Sequence, residues 1–189
     1  MPVFETDKTR RADARKSRKL ILDAARVLFR HTGSKVSLES VIQAAGVGRA
    51  TFFRHFPNRE QLMIELVSEA LDELVTKVQA LSAQPDLFEL FLSLYIDTIV
   101  QHIGVMEYWS QEQQNGSLQQ LIYQRVVEMR ERIVLLSDQQ VVKNILSAAD
   151  IILFGRMLIG AALREPASKR ESVLSRAAEM LLDGVRPVR

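Results

Sequence analysis

The sequence predicts an all-α fold: an N-terminal three-helix module with a helix-turn-helix, then a larger helical bundle, about nine helices in all. Three observations carry this. Eight glycines and five prolines in 189 residues leave few breaks, and most fall where a helix would end. No stretch alternates apolar and polar residues between turn signals, so strands are not expected. Hydrophobic residues make up 47% of the chain, enough to build a packed core.

The first helix is expected from about Thr9 to His31. Ile21, Ala24, Ala25, Leu28 and Phe29 repeat at i, i+3, i+4, i+7 and i+8, the spacing of one buried stripe. Gly33 supplies the stop. Ser37 caps a short second helix, with Ser40 where a full capping box would have an acid or amide; Val41, Ile42 and Ala45 face inward. Gly46 ends it, and a third helix starts at Gly48 or Arg49 and stops before Pro57-Asn58. Asn58 caps the fourth helix, with Gln61 completing a capping box, and Leu62, Leu66, Ala70, Leu74 and Val78 carry it to about Leu81.

After a loop at Ser82 to Asp86, Leu87 to Ile103 is apolar on almost every side, the mark of a helix inside a bundle. Gly104 is expected to interrupt it, and the polar tract Gln111 to Gly116 marks a second break. Helices are then expected over Ser117 to Leu136, Val141 to Leu163 and Ser168 to Gly184, the last two separated by Glu165-Pro166-Ala167. The tract Ile145 to Leu163 contains Asp150 and Arg156, which a bilayer would tolerate poorly, so no membrane segment is expected.

Charge divides the chain near residue 60. Residues 1–60 hold thirteen Lys/Arg against six Asp/Glu, a net of +7, and residues 61–189 hold twelve against seventeen, a net of −5. A basic first module is suited to a polyanion, with a solvated charged face as the other reading, and the division sets a first unit over 1–60 and a second over 61–189. The absence of cysteine removes disulfides, thiolate metal sites and cysteine nucleophiles, and fits a reducing cytoplasm. No glycine-rich phosphate loop, nucleophile motif or metal-ligand spacing appears. The three histidines, His31, His55 and His102, lie far apart, so no catalytic residue, metal site or cofactor is expected.

Two short helices joined through a glycine beside a basic N-terminus form a helix-turn-helix arrangement, whose second helix enters the DNA major groove. Residues 18–62 carry Arg18, Ile21, Ala24, Ala25, Leu28, Phe29, Gly33, Ser37, Ala45-Gly46-Val47, Thr51-Phe52-Phe53-Arg54-His55-Phe56, Asn58-Arg59-Glu60 and Leu62. Along this length the sequence resembles the TetR family of transcriptional regulators. The resemblance implies that Ser37 holds a phosphate and that Gly48, Arg49 and Ala50 open the recognition helix. Arg49 and Ala50 would read base edges, Thr51 would touch a phosphate or thymine methyl, and Arg54, His55 and Arg59 would contact phosphates. Three residues depart from the pattern. Gly48 replaces a capping hydroxyl, Phe53 replaces a tyrosine that commonly binds phosphate, and Ile42 stands where alanine is usual.

The family further implies a homodimer made by the last two helices, a small-molecule effector and a palindromic double-stranded DNA operator. Small residues at Ala148, Ala149, Gly155, Gly160, Ala161 and Ala162 support the dimer independently, since they permit close helix approach. The expected effector wall is Phe91, Tyr95, His102, Met106, Trp109, Ile122, Arg125 and Phe154, a mostly apolar set suited to a hydrophobic or amphipathic compound, with Glu107 available to a cation. The expected function is a cytoplasmic, ligand-responsive repressor; a DNA-binding regulator controlled by a protein partner, or by no small molecule, is the alternative.

Overall fold

In the computed structural model, which describes residues 3–84, 86–111, 116–136 and 147–185, nine helices and no strand occur among the described residues. They are α1 (Val3–Thr32), α2 (Leu38–Ala45), α3 (Arg49–His55), α4 (Arg59–Gln79), α5 (Leu87–Gln101), α6 (Ile103–Gln111), α7 (Gly116–Leu136), α8 (Ala148–Leu163) and α9 (Ala167–Val185). The all-α expectation holds. Residues 141–146, expected in the eighth helix, lie outside the described residues.

Local chemistry fixes most of the helix ends. Ser37 Oγ accepts from the Ser40 amide at 3.0 Å, and Gly46 closes α2 in the left-handed region at φ 64°. That conformation is disfavoured for a residue with a Cβ, which is why glycine stands there. Asn58 Oδ1 accepts from the Gln61 amide at 2.9 Å, but the return bond from the Gln61 side chain is not made, so the cap is half of the expected box. The complete box lies at α8, where Ser147 and Asp150 satisfy each other's backbone amides.

The α1 stripe is narrower than its sequence spacing suggests. Ile21, Leu22, Ala25 and Phe29 are buried, whereas Ala24 and Leu28 are only partly covered. Nine buried side chains from Leu62 to Val78 make α4 the most enclosed long helix, packed against α1, α5, α6 and α7. Each such Leu or Val contributes about 1.5–3 kcal/mol by leaving water. Opposite it, α7 buries Leu118, Ile122, Val126, Met129 and Ile133 at spacings of three and four. Their shared edge is closed by Arg125 Nε to Asp72 at 2.6 Å and by Arg132 Nη2 donating to the Leu81 carbonyl at 2.8 Å.

The expected break at Gly104 falls at His102 instead. There α5 and α6 meet at 91°, and Gly104 lies inside α6. Gly104 is small for a different reason. A Cβ there would sit 2.1 Å from the Phe29 carbonyl oxygen and 3.0 Å from Gly33 Cα, so the glycine lets α6 press directly on the end of α1. No single helix among the described residues is long and apolar enough to cross a membrane.

Candidate nucleic-acid interface

The buried faces of α1, α2 and α3 share Ile21, Ala25, Phe29, Val41, Ile42, Ala45, Phe52 and Phe56. Ile42 is 6% exposed, so the bulkier side chain in place of alanine is absorbed into this core. With Phe52 buried, the rest of α3 is turned outward: Arg49, Ala50, Phe53 and Arg54 are exposed and Thr51 and His55 are half-buried. Gly48 enters α3 with extended backbone and no side-chain cap, leaving the first amides of α3 without a side-chain partner.

Most of the residues singled out in sequence come together on this outer surface. Ser37 is exposed at the start of α2, its hydroxyl 2.8 Å from that of Ser40. Arg49 pairs with Glu39 of α2 at 3.0 Å, both side chains largely exposed, an exposed pair of the kind that contributes at most about 1 kcal/mol. Arg54 Nη2 approaches Thr51 Oγ1 at 3.4 Å. Phe53 lies edge-on to Phe52, centroids 5.3 Å apart, and presents a bare ring where a phenol would offer a hydroxyl. Burial, then the charges of Arg54 and Arg18, hold the His55 imidazole below its ordinary pKa.

Arg59 is placed apart from this set. Its guanidinium lies 5.2 Å over the Phe29 ring and donates to the carbonyls of Val36 and Ser34. It binds the α1–α2 loop from within. The same loop is held from the other side by Glu107 of α6, whose Oε2 accepts from the Ser34 amide at 2.9 Å. Sequence reasoning missed Glu39 and the Glu107–Ser34 contact; both join residues whose proximity only the tertiary fold creates.

Residues 21–66 match the family model of bacterial regulatory proteins of the tetR family. Over this stretch, which spans α1 to the start of α4, the chain is similar to the N-terminal domain of that family. Solved structures agree in fold. A TetR transcriptional regulator from Streptomyces coelicolor aligns at 21% identity over 91% of this chain and 99% of its own, with a TM-score of 0.55. A TetR transcription regulatory protein from Mycobacterium vanbaalenii aligns at 17% over 94% and 99%, also at 0.55. A Syntrophomonas wolfei protein assigned to the same family aligns at 19% over 89% and 96%, at 0.58. No curated protein matches the sequence.

The structure gathers part of the expected effector wall and separates the rest. Phe88, Phe91 and Tyr95 stack along α5 with centroids 6.1 and 5.8 Å apart. Tyr95 covers Gly155 of α8, where a Cβ would lie 2.0 Å from its hydroxyl oxygen and 3.5 Å from the Trp109 ring. Burial pushes the Tyr95 phenol well above its ordinary pKa. Met106 and Ile122 are buried and Phe154 is partly buried. His102 lies at the α5–α6 elbow, 3.7 Å from Glu73, and Arg125 is turned to Asp72 and Glu128 on the α4–α7 edge. Glu107, considered for a cationic ligand, is occupied by Ser34.

Proposed function

We propose that the chain is a repressor that binds a palindromic operator as a homodimer and releases it when a hydrophobic or amphipathic effector enters the bundle. The observation that carries this reading is the outward face of α3, on which Arg49, Ala50, Thr51 and Arg54 stand exposed above a module locked by Phe29, Phe52 and Phe56. Arg49 reads a guanine edge, and Ser37, the Gly48 end of α3, Thr51, Arg54 and His55 line the flanking phosphates. Arg59 serves by fixing the loop that presents Ser37. The reading unit ends near residue 60, where α4 begins.

The dimer forms through α8 and α9. Leu153 and Met157 are each about half-exposed (52%), Gly160 continues their row with open space around it, and Met180 of α9 is 64% exposed. Such a run of exposed large apolar side chains marks a surface that a partner covers. Gly155, Ala148 and Ala162, expected to serve that approach, are used inside the chain; Ala149, Gly160 and Ala161 remain for the partner. The effector takes the place of the Tyr95 side chain over Gly155, and the motion of α6 against α1 carries the effect to the reading unit.

Selection of bound duplexes from a random pool tests the whole reading. An inverted repeat with half-site centres one or more helical turns apart is expected; a single asymmetric site would refute the dimeric mode. The effector claim fails if ligands that stabilise the protein never alter its affinity for the selected duplex.

A further inference from the structure

A cleft of about 270 Å³ opens where the end of α1 and the α1–α2 loop meet the start of α6, the last residue of α8 and the first turn of α9. Its charge is mainly positive. Arg30, Lys35 and Arg170 line it, and none of the three is paired with a carboxylate among the described residues. Arg170 makes one bond, from Nε to the Glu165 carbonyl at 3.2 Å. Glu107 is the one acid in the lining; its Oε2 accepts from the Ser34 amide but keeps its charge, so three cations face one carboxylate.

The lining chemistry specifies the ligand. Three permanent cations drawn from two separate parts of the chain match a dianion better than a single carboxylate. Ile103 and Leu163 add an apolar wall that an inorganic ion would not use. We infer that this cleft binds a small organic phosphate monoester, its phosphate held by Arg30, Lys35 and Arg170 and its carbon skeleton against Ile103 and Leu163.

The position gives that ligand leverage. It would tie α6 and α9 to the loop that Arg59 grips from within and that delivers Ser37 to the DNA-facing surface. Occupancy therefore changes DNA affinity by fixing this loop relative to the bundle, a consequence resting on the DNA-binding reading proposed above. The cleft is separate from the Phe91–Tyr95–Trp109 region of the core.

The test titrates the full-length protein with phenyl phosphate, inorganic phosphate and benzoate at constant ionic strength, following amide resonances by two-dimensional NMR. Saturable shifts of Gly33, Ser34 and Gly104 are expected, with phenyl phosphate binding at least about threefold tighter than inorganic phosphate because of the apolar wall. Benzoate should bind more weakly than phenyl phosphate. Arg30→Gln combined with Lys35→Gln changes exposed side chains that make no hydrogen bond or ion pair among the described residues, and should weaken phenyl phosphate about tenfold or more with the melting temperature unchanged. Absence of saturation, or equal affinity in that variant, overturns the site. Fluorescence anisotropy on the selected duplex, with and without saturating phenyl phosphate, reads the coupling. Unchanged DNA affinity overturns the regulatory role, whereas failure to bind any duplex would count against the DNA-binding reading and leave the cleft result standing.

Discussion

Replacing Gly104 with alanine pits two effects against each other, and the structure decides which wins. Within a helix the change is favourable by about 0.8–1.0 kcal/mol on propensity alone. Against this, the new Cβ falls 2.1 Å from the Phe29 carbonyl oxygen, 2.9 Å from its carbon and 3.0 Å from Gly33 Cα. An ordinary contact is about 3.5 Å, so roughly 1.4 Å must be found. All three neighbours are backbone atoms, so no rotamer change can relieve them, and α6 must move away from α1. Overpacking of this kind costs about 1–3 kcal/mol, and separating the helices also stretches the Glu107–Ser34 bond. The net expectation is a loss of about 1–2 kcal/mol, which at roughly 2–4 °C per kcal/mol lowers the melting temperature by about 2–8 °C. Thermal unfolding followed by circular dichroism measures it, with Gly116→Ala as control because nothing lies within 4 Å of a Cβ there. A Gly104→Ala protein as stable as the parent, or more so, would refute the close α1–α6 approach.

Four further outcomes follow from the same geometry. Arg49→Ala should lose about 1–3 kcal/mol of discrimination at one base pair per half-site, seen as a narrowed gap between cognate and scrambled duplexes; an equal loss on both sinks the base-reading role. Arg59→Ala removes the guanidinium that holds the Ser34 and Val36 carbonyls, so its melting temperature should fall alongside affinity for every duplex, and normal stability with weakened binding would place Arg59 on the phosphate instead. Met157→Glu puts a charge into the exposed row on α8 and should yield monomers by size-exclusion chromatography with light scattering; a persistent dimer locates the interface elsewhere. Burial lowers the His102 pKa below its ordinary value, with Arg26 and Lys77 acting the same way and Glu73 opposing. The folded state therefore favours the neutral ring. That contribution is complete above the unfolded pKa near 6.5 and is lost as pH falls through the depressed folded value. Urea unfolding from pH 7.5 down to 5 should show less acid sensitivity in His102→Gln than in the parent.

Helix existence and the helix-turn-helix were legible because their causes are local. Ser37, Gly46, Asn58 and Gly33 act on neighbouring backbone groups, and the α4 and α7 stripes follow helical spacing. What escaped the sequence depends on distant partners. Gly104 carries the same letter whether it breaks a helix or admits another backbone, and only the approach of Phe29 distinguishes the two. Gly155 looks suited to a partner subunit, yet Tyr95, sixty residues earlier, takes the space. Arg59 sits in sequence among residues expected to face DNA but finds carbonyls 23 and 25 positions away. The cleft is built from four segments, and no window of the sequence contains it.

If Arg49 reads a guanine as proposed, its pairing with Glu39 shapes how the protein searches a genome. An arginine that already holds a carboxylate gains little by turning to a base edge that offers poor acceptors. Over unmatched DNA this weak pair competes with each base edge for the guanidinium, the helix rides mainly on phosphate contacts, and sliding meets fewer sticky stops. At a matched site two aligned acceptors outbid the carboxylate, and the freed Glu39 then faces a polyanion that repels it. Glu39 thus makes each wrong stop shorter, so that losing it would speed capture of non-specific sequence at the expense of finding the right one.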